Sequence, residues 1–412
     1  MLRSDHRLAG VTALCAVAVL AAGLLWGART VEGTPTTADI DLATLDFGDL
    51  RDESLTEPGN DNDRYGRIIE SARMAEAVVD PRDIDADLYP YQPSLLPKPK
   101  DTIGFLADVA RPILVEHGML AGYTVMGRPD CQGEHCRDAS RSVRVTVLRM
   151  PDGSAARAAA TAIEAADFAV NPENTAVTLP EYPAAQGHWR PTVPTLGIVV
   201  PHESFLVALF VTHPSPDLAA LTGLATATLK AELPVLDRFQ PTPAAALSDL
   251  ALDTDGMLRR MVPTEPGEWP YPYTTRMHGD REAGAGAYRE SSGVVYAGTG
   301  ANHWMSVDPR TYGVQRTEIE SLAVVDRRWL IRFRDAAAAR RAAARESEPS
   351  ARQTPMAPPR IPDTACLRAE GIVPTYYCVV RDGRYVAMVR AMDEKSVHQM
   401  AAAQYALLVR NR

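Results

Sequence analysis

The stretch "CVVRDGRYVAMVRAMDEKSVHQMAAAQYALL", residues 378–408, holds the pattern that decides the fold. Asp382-Gly383 sits between two alternating apolar runs, the strongest short-range signal for a β-hairpin. Asp393 then stands where a helix cap belongs. Val397, Ala401, Tyr405 and Leu408 recur near i, i+4, i+8 and i+11, the stripe of an amphipathic helix. The same place crowds Asp393, Glu394, Lys395, Ser396 and His398 together, which invites a catalytic reading. Helix geometry argues against it: Glu394 complements the positive helix N-terminus, and Ser396 lies near the cap. Ser396 and His398, two apart on a helix, point about 200° away from each other and cannot form a nucleophile–base pair. His398 follows the apolar Val397 and is read as bordering the core.

The order strand, alanine-rich helix, hairpin, amphipathic helix occurs twice. In the first half "SVRVTVLRM" (142–150) alternates, with Val143, Val145 and Val147 on one face. Asp152 can cap "DGSAARAAATAIEAADF". "LGIVV" and "FLVALFV" form a buried hairpin around the turn His202-Glu203-Ser204. Pro216 and Asp217 then open a helix carrying Leu218, Leu221, Ala225, Leu229 and Leu236. In the second half "SLAVVDRRWLIRF" (321–333) and "DAAAARRAAARES" lead into the quoted stretch. The expected fold is α+β: two similar modules, 101–240 and 274–412, each an antiparallel sheet with helices packed on one face. A linker, 241–273, joins them. Residues 29–100 are expected to be an acidic spacer, its first part (29–63) disordered or loosely docked. The spacer contains one helix with an Ile69–Ala72–Val79 stripe. It ends in "LYPYQPSLLPKPK" (88–100), expected to lie extended over the surface.

At 412 residues with 46% apolar content the chain has room for two or three domains and a sizeable core. A net charge of −9 with no basic cluster argues against nucleic acid as a partner. Arg3 and Arg7 precede nineteen uncharged residues, 8–26, which as a helix reach roughly 28 Å, about one hydrocarbon core. The flanking arginines keep that end cytoplasmic and send the rest outside. Residues 1–28 are therefore read as a signal anchor giving a single-pass protein of the cell membrane. Trp26 stands badly for signal-peptidase cleavage, which favours a retained helix.

Cys15 falls inside the apolar stretch. The other four cysteines form two local pairs, Cys131 with Cys136 and Cys366 with Cys378, read as disulfides of an oxidising compartment. The competing metal reading of Cys131, His135 and Cys136 lacks further ligands, so no metal and no cofactor is expected. No phosphate-loop, zincin or nucleophile-elbow motif occurs. "GTGAN" (298–302) is read as a turn, without the strand-then-helix context of a phosphate loop. Candidate cleft-lining residues are His188-Trp189, His303-Trp304, and Trp269, Tyr271 and Tyr273 of "WPYPYTT". Partly buried surface packing is the commoner use of such residues.

Several stretches carry a family resemblance: "LATLDFGDL", "RIIESARMAEAVV", "YPAAQGHWRPTV", "FQPTPAAALSDLALDTDGMLRR" and the quoted 378–408. Over residues 40–412 the chain resembles actinobacterial envelope lipoproteins with a duplicated domain of unknown function. The resemblance implies a cell-envelope location and assigns no catalytic residue. The chain departs from the lipoprotein pattern at Cys15, which follows Leu14 and has eleven apolar residues beyond it, so a transmembrane helix is expected instead. The resulting expectation is a non-enzymatic, membrane-tethered, extracytoplasmic binding or interaction protein. Its ligand would be an envelope lipid, a glycan or a protein partner. The alternatives are an envelope hydrolase assembled in three dimensions around His188 and His303, and a purely structural spacer.

Overall fold

Four aspartates start the four principal helices, and the strands fall between them in the same order twice. The computed structural model describes residues 40–129, 141–278, 287–306, 313–371 and 373–412. The apolar stretch 8–26 and the pair Cys131 and Cys136 lie outside the described residues. Among the described residues no helix is long and apolar enough to cross a membrane. Ile40–Arg412 forms one compact unit.

The first sheet comprises β1 (Tyr89–Leu95), β2 (Ala121–Arg128), β3 (Ser142–Arg149), β4 (Thr175–Leu179), β5 (Tyr182–Trp189), β6 (Thr195–His202) and β7 (Phe205–Thr212). Its helices are α2 (Ala110–Glu116), α3 (Gly153–Phe168) and α4 (Leu218–Leu236), and α1 (Asp63–Arg73) precedes them. A hairpin of β8 (Tyr273–His278) and β9 (Ala287–Ser292) stands apart from the two large sheets. The second sheet holds β10 (Val294–Ala297), β11 (Ile319–Val325), β12 (Arg328–Phe333), β13 (Gln353–Met356), β14 (Thr364–Ala369), β15 (Thr375–Asp382) and β16 (Tyr385–Ala391). Its helices are α5 (Gly298–Met305), α6 (Ala336–Glu346) and α7 (Glu394–Arg410).

Strand order is β1-β2-β3-β7-β6-β5-β4 in one sheet and β10-β11-β12-β16-β15-β14-β13 in the other. Numbered within each module these are the same permutation, and every pairing is antiparallel. The internal duplication is therefore a fact of topology. The caps repeat as well: Asp152, Asp217, Asp335 and Asp393 each accept from a backbone N–H in the first turn of α3, α4, α6 and α7. At α7 the Ser396 hydroxyl also donates to Asp393, 2.7 Å, which disposes of Ser396 as a nucleophile.

The helices do not share one face, as the sequence had suggested; they cover both faces of each sheet. On β7, Phe205, Val207 and Leu209 pack with Leu221, Ala225 and Leu229 of α4, while Leu206 and Ala208 pack with Ala156, Ala159 and Ile163 of α3. In the second module Ile331, Phe333 and Val386 meet Ala338 and Ala342 of α6. Cys378, Val380, Ala387 and Val389 meet Val397, Ala401 and Tyr405 of α7 on the opposite face. The reason is written in "FLVALFV": a strand apolar at every position has no face left for water.

Residues 40–100 also differ from a loose spacer. Pro-rich 89–95 is β1, an edge strand where missing N–H groups are tolerated, and its pairing with β2 slips between Tyr91 and Ser94. The first sheet thus begins ahead of residue 101. Segment 40–62 docks on the second module through Gln399, which donates to Asp46 at 2.9 Å, and on the linker through Leu252 N and Asp253 N, which donate to Glu57 at 2.8 and 3.1 Å. Helix α1 and the turn after it are core: Ala72, Met74, Ala75 and Val78 share one cluster with Tyr123 and Val125 of the first module and Tyr296 and Ala301 of the second. Fully buried Glu70 accepts from Arg149 at 2.7 Å and from the Thr242 N–H at 3.0 Å, tying α1, β3 and the linker together.

Candidate functional site: two sheet-face clefts

Along β3, Val143, Val145 and Val147 face α4, and the alternate set Arg144, Thr146 and Leu148 faces α3. Helix α3 covers the Leu148–Leu206 end of that face and leaves the Arg144–Phe210 end open. The opening is a cleft of about 560 Å³. Its floor is Arg144, Thr146, Ala208 and Phe210; its walls are Ile163, Glu164 and Asp167 of α3, His188 and Trp189 of β5, and Phe105.

Arg144 is the anomaly in this cleft. It is 8% exposed, it makes no ion pair among the described residues, and its Nη1 is buried without a hydrogen-bond acceptor. Its guanidinium lies 5.1 Å from the Phe105 ring centre, and burial pulls it down from 12.5 to about 10. A buried cation without a counter-charge is costly. Across the ladder it pairs with Phe210, a large apolar side chain left 45% exposed. Thr146 is already engaged with Thr124, 2.8 Å.

His188 shares the cleft face with Arg144 and Phe210, whereas Trp189, the next residue of β5, borders the cleft but packs its side chain against the α4-side core with Val143, Leu196 and Val211. His188 Nδ1 is 2.9 Å from Glu164 Oε1, a hydrogen bond that raises the imidazole above its ordinary value. Trp189 Nε1 donates to the Val193 carbonyl, 3.0 Å. Base and orienting acid are thus adjacent, but among the described residues no hydroxyl or thiol is hydrogen-bonded to His188. A nucleophilic mechanism needs that third group.

The duplicated module repeats the feature with different side chains. Arg144 and Arg327 each stand eight residues before their helix caps, Asp152 and Asp335. Phe210 and Arg390 each stand four residues after the equivalent ladder positions Leu206 and Val386, which pair with Leu148 and Ile331. Arg327 and Arg390 line a second cleft of about 860 Å³ together with Trp304, Trp329, Tyr273 and Met388. Here Glu290 partners Arg327 at 3.5 Å, so the second cleft already carries part of its counter-charge. Tyr273 donates its hydroxyl to Asp326.

A third cleft, about 760 Å³, lies between the modules, but its less exposed charges are matched within the protein. Arg316 bridges Asp80 and Asp83 at 3.2 and 2.8 Å, and Arg73 is taken by Glu70. This cleft contains "GTGAN". The stretch is not an isolated turn: it follows β10 directly and forms the first turn of α5. The helix N-terminus is occupied by a carboxylate of the protein itself, Gly300 N donating to Glu76 at 2.9 Å. A Cβ at Gly300 would stand 2.7 Å from Ala75 Cβ, so glycine is what lets α5 reach the core turn.

The remaining candidates disperse. His303 is fully buried, stacked on Tyr123 with Nδ1 3.2 Å from its hydroxyl, and burial pulls it down to about 4, so it is neutral at pH 7. Trp269 is buried in the cluster under α7, and Tyr271 stacks on Tyr65 at 5.1 Å. Cys366 and Cys378 form the expected disulfide, a cross-strand pair of β14 and β15.

No curated protein matches the chain. Among solved structures, the chain has a faint likeness to the extracellular domain of PknH from Mycobacterium tuberculosis. The identity is 13%, over 41% of this chain and 97% of that one, with a TM-score of 0.28, too low to bear on fold or function. Two family models cover most of the chain: domain of unknown function (DUF7373) N-terminal over residues 57–252, and its C-terminal counterpart over 257–411. The chain belongs to the DUF7373 family.

Proposed function

We propose that this is a membrane-tethered, extracytoplasmic binding protein of the cell envelope whose first-module cleft holds an organic anion. The observation that carries the reading is Arg144, a buried guanidinium without a counter-charge among the described residues, at the floor of an open cleft walled by Phe105 and His188. Clefts of this size lined by apolar side chains with a few polar groups are the usual form of a ligand site. A buried charge that no described residue answers is accounted for when a ligand supplies the anion. The uncharged stretch 8–26 behind Arg3 and Arg7 supports the tether and the orientation. The Cys366–Cys378 disulfide supports an oxidising compartment. The hydrolase reading has His188 and Glu164 but no bonded nucleophile among the described residues, and a structural spacer leaves Arg144 unexplained.

The test is native mass spectrometry of the protein purified from its own host, as wild type and as Arg144→Met. The expected result is a discrete bound mass that is lost on denaturation and is absent from the variant. A bare polypeptide in both, or the same adduct in both, would overturn the reading.

A further inference from the structure

The rim of the first cleft is as unusual as its floor. Phe210 at 45% exposure and Val170 at 64% both line it. Phe168, 37% exposed, stands edge-on to His188 with ring centres 6.1 Å apart. These are three of the eight large apolar side chains that the described residues leave exposed, and they gather at one mouth. Elsewhere such side chains are scattered, which needs no explanation; a cluster beside a concavity does. Arg144 and Phe210 are cross-strand neighbours, so the unanswered positive charge and the exposed apolar edge lie side by side. The acids on the wall do not answer that charge. Glu164 is held by His188, and Asp167 sits on the same helix face one turn on, where it acts on His188.

Resting on the binding function proposed above, we infer that the ligand is a single-chain anionic amphiphile. A carboxylate or phosphate head lies at Arg144, and an aliphatic chain runs out over Phe210 and Val170. Charge complementarity selects the head, because a guanidinium matches a planar or tetrahedral oxyanion. The rim selects the tail. A small anion leaves the rim exposed, and a neutral amphiphile leaves the guanidinium unpaired.

The test is calorimetric titration of the Ile40–Arg412 unit, below the micellar range, with octanoate, decanoate, dodecanoate and dodecyl phosphate. Acetate, inorganic phosphate and a neutral dodecyl glycoside serve as comparisons. The unit is suitable because its cores and its described hydrogen bonds close within it. Burying each added methylene should tighten binding about fourfold until the cleft is filled. The neutral glycoside should bind at least tenfold more weakly, and the Arg144→Met variant should show no saturable binding. Phe210→Ser, at an exposed position, should flatten the chain-length dependence and keep the fold. If acetate or phosphate binds as tightly as dodecanoate, and Arg144→Met abolishes it, the amphiphile is wrong while the binding function stands. If no anion binds saturably, both fall. Binding to phosphatidylglycerol vesicles without binding to monomeric amphiphile overturns the cleft in favour of membrane-surface contact.

Discussion

Replacing Arg144 by Met should make the empty protein more stable and leave it unable to respond to ligand. Burial holds the guanidinium at about 10 against 12.5 in water. At about 1.4 kcal/mol per tenfold shift this is a penalty of about 3 kcal/mol on the charged side chain. Met fills a similar volume without charge. Losing the contact with the Phe105 ring removes about 1 kcal/mol of attraction. The net expectation is a gain of about 2 kcal/mol. In urea denaturation followed by circular dichroism, with a slope of about 3 kcal/mol/M or more, the midpoint should rise by roughly 0.5 M. Ligand at a hundred times its Kd should stabilise the wild type by about 2.7 kcal/mol and the variant by nothing. The saturated wild type then overtakes the variant. If Arg144→Met instead lowers stability by more than about 1 kcal/mol, the guanidinium is satisfied within the fold and the reasoning fails.

Three further predictions follow from other buried groups. Glu232 is fully buried, accepts from Val79 N and is pushed up from 4.5 to about 8 by burial. The folded state therefore binds the extra proton, so this group's contribution to stability is fully present below pH 4.5 and is lost as pH rises through about 8. Glu232→Gln should flatten that loss, on the order of 3–5 kcal/mol, in urea melts compared at pH 5 and pH 9; an unchanged pH profile would refute it. The hydrogen bond from Glu164 raises His188, so its contribution is fully present below 6.5 and fades as pH rises through the raised value. His188→Gln should cost about 1 kcal/mol at pH 5.5 and little at pH 9, and an equal cost at both would sink the assignment. Replacing Cys366 and Cys378 together by Ala opens a loop of sequence separation 12 and should lower stability by about 3 kcal/mol under oxidising conditions. An unchanged midpoint would contradict it.

Much of the scaffold was legible because it rests on local rules. Asp152, Asp217, Asp335 and Asp393 announced four helices, and the Asp382-Gly383 pair announced the β15–β16 hairpin, whose tight turn has Gly383 at φ 53. The repeat of element order foretold the repeat of strand order. What was not legible depends on what lies across from a residue. "SVRVTVLR" alternates, which alone gives Arg144 and Thr146 a solvent face; they are buried at the cleft floor, Arg144 against Phe105 of the 104–107 segment and Thr146 against Thr124. The neighbouring "FLVALFV", apolar at both parities, held the correction, since two strands of one sheet share their faces. The prolines of 88–100 hid β1, because an edge strand gives up N–H groups that an interior strand needs. His188, Trp304 and Tyr273 do line clefts, whereas Trp189 packs on the α4 side of the sheet and His303 and Trp269 are interior, and no local pattern separates the fates. Sequence also gave no sign that the two His-Trp pairs occupy unlike places, one on β5 and one on α5.

The most direct measurement is a crystal structure of the Ile40–Arg412 unit grown with dodecyl phosphate. The account predicts the phosphate within hydrogen-bond distance of the Arg144 guanidinium, with the chain against Phe210 and Val170. Density for the ligand elsewhere, with Arg144 still unpaired under Phe105, would contradict it.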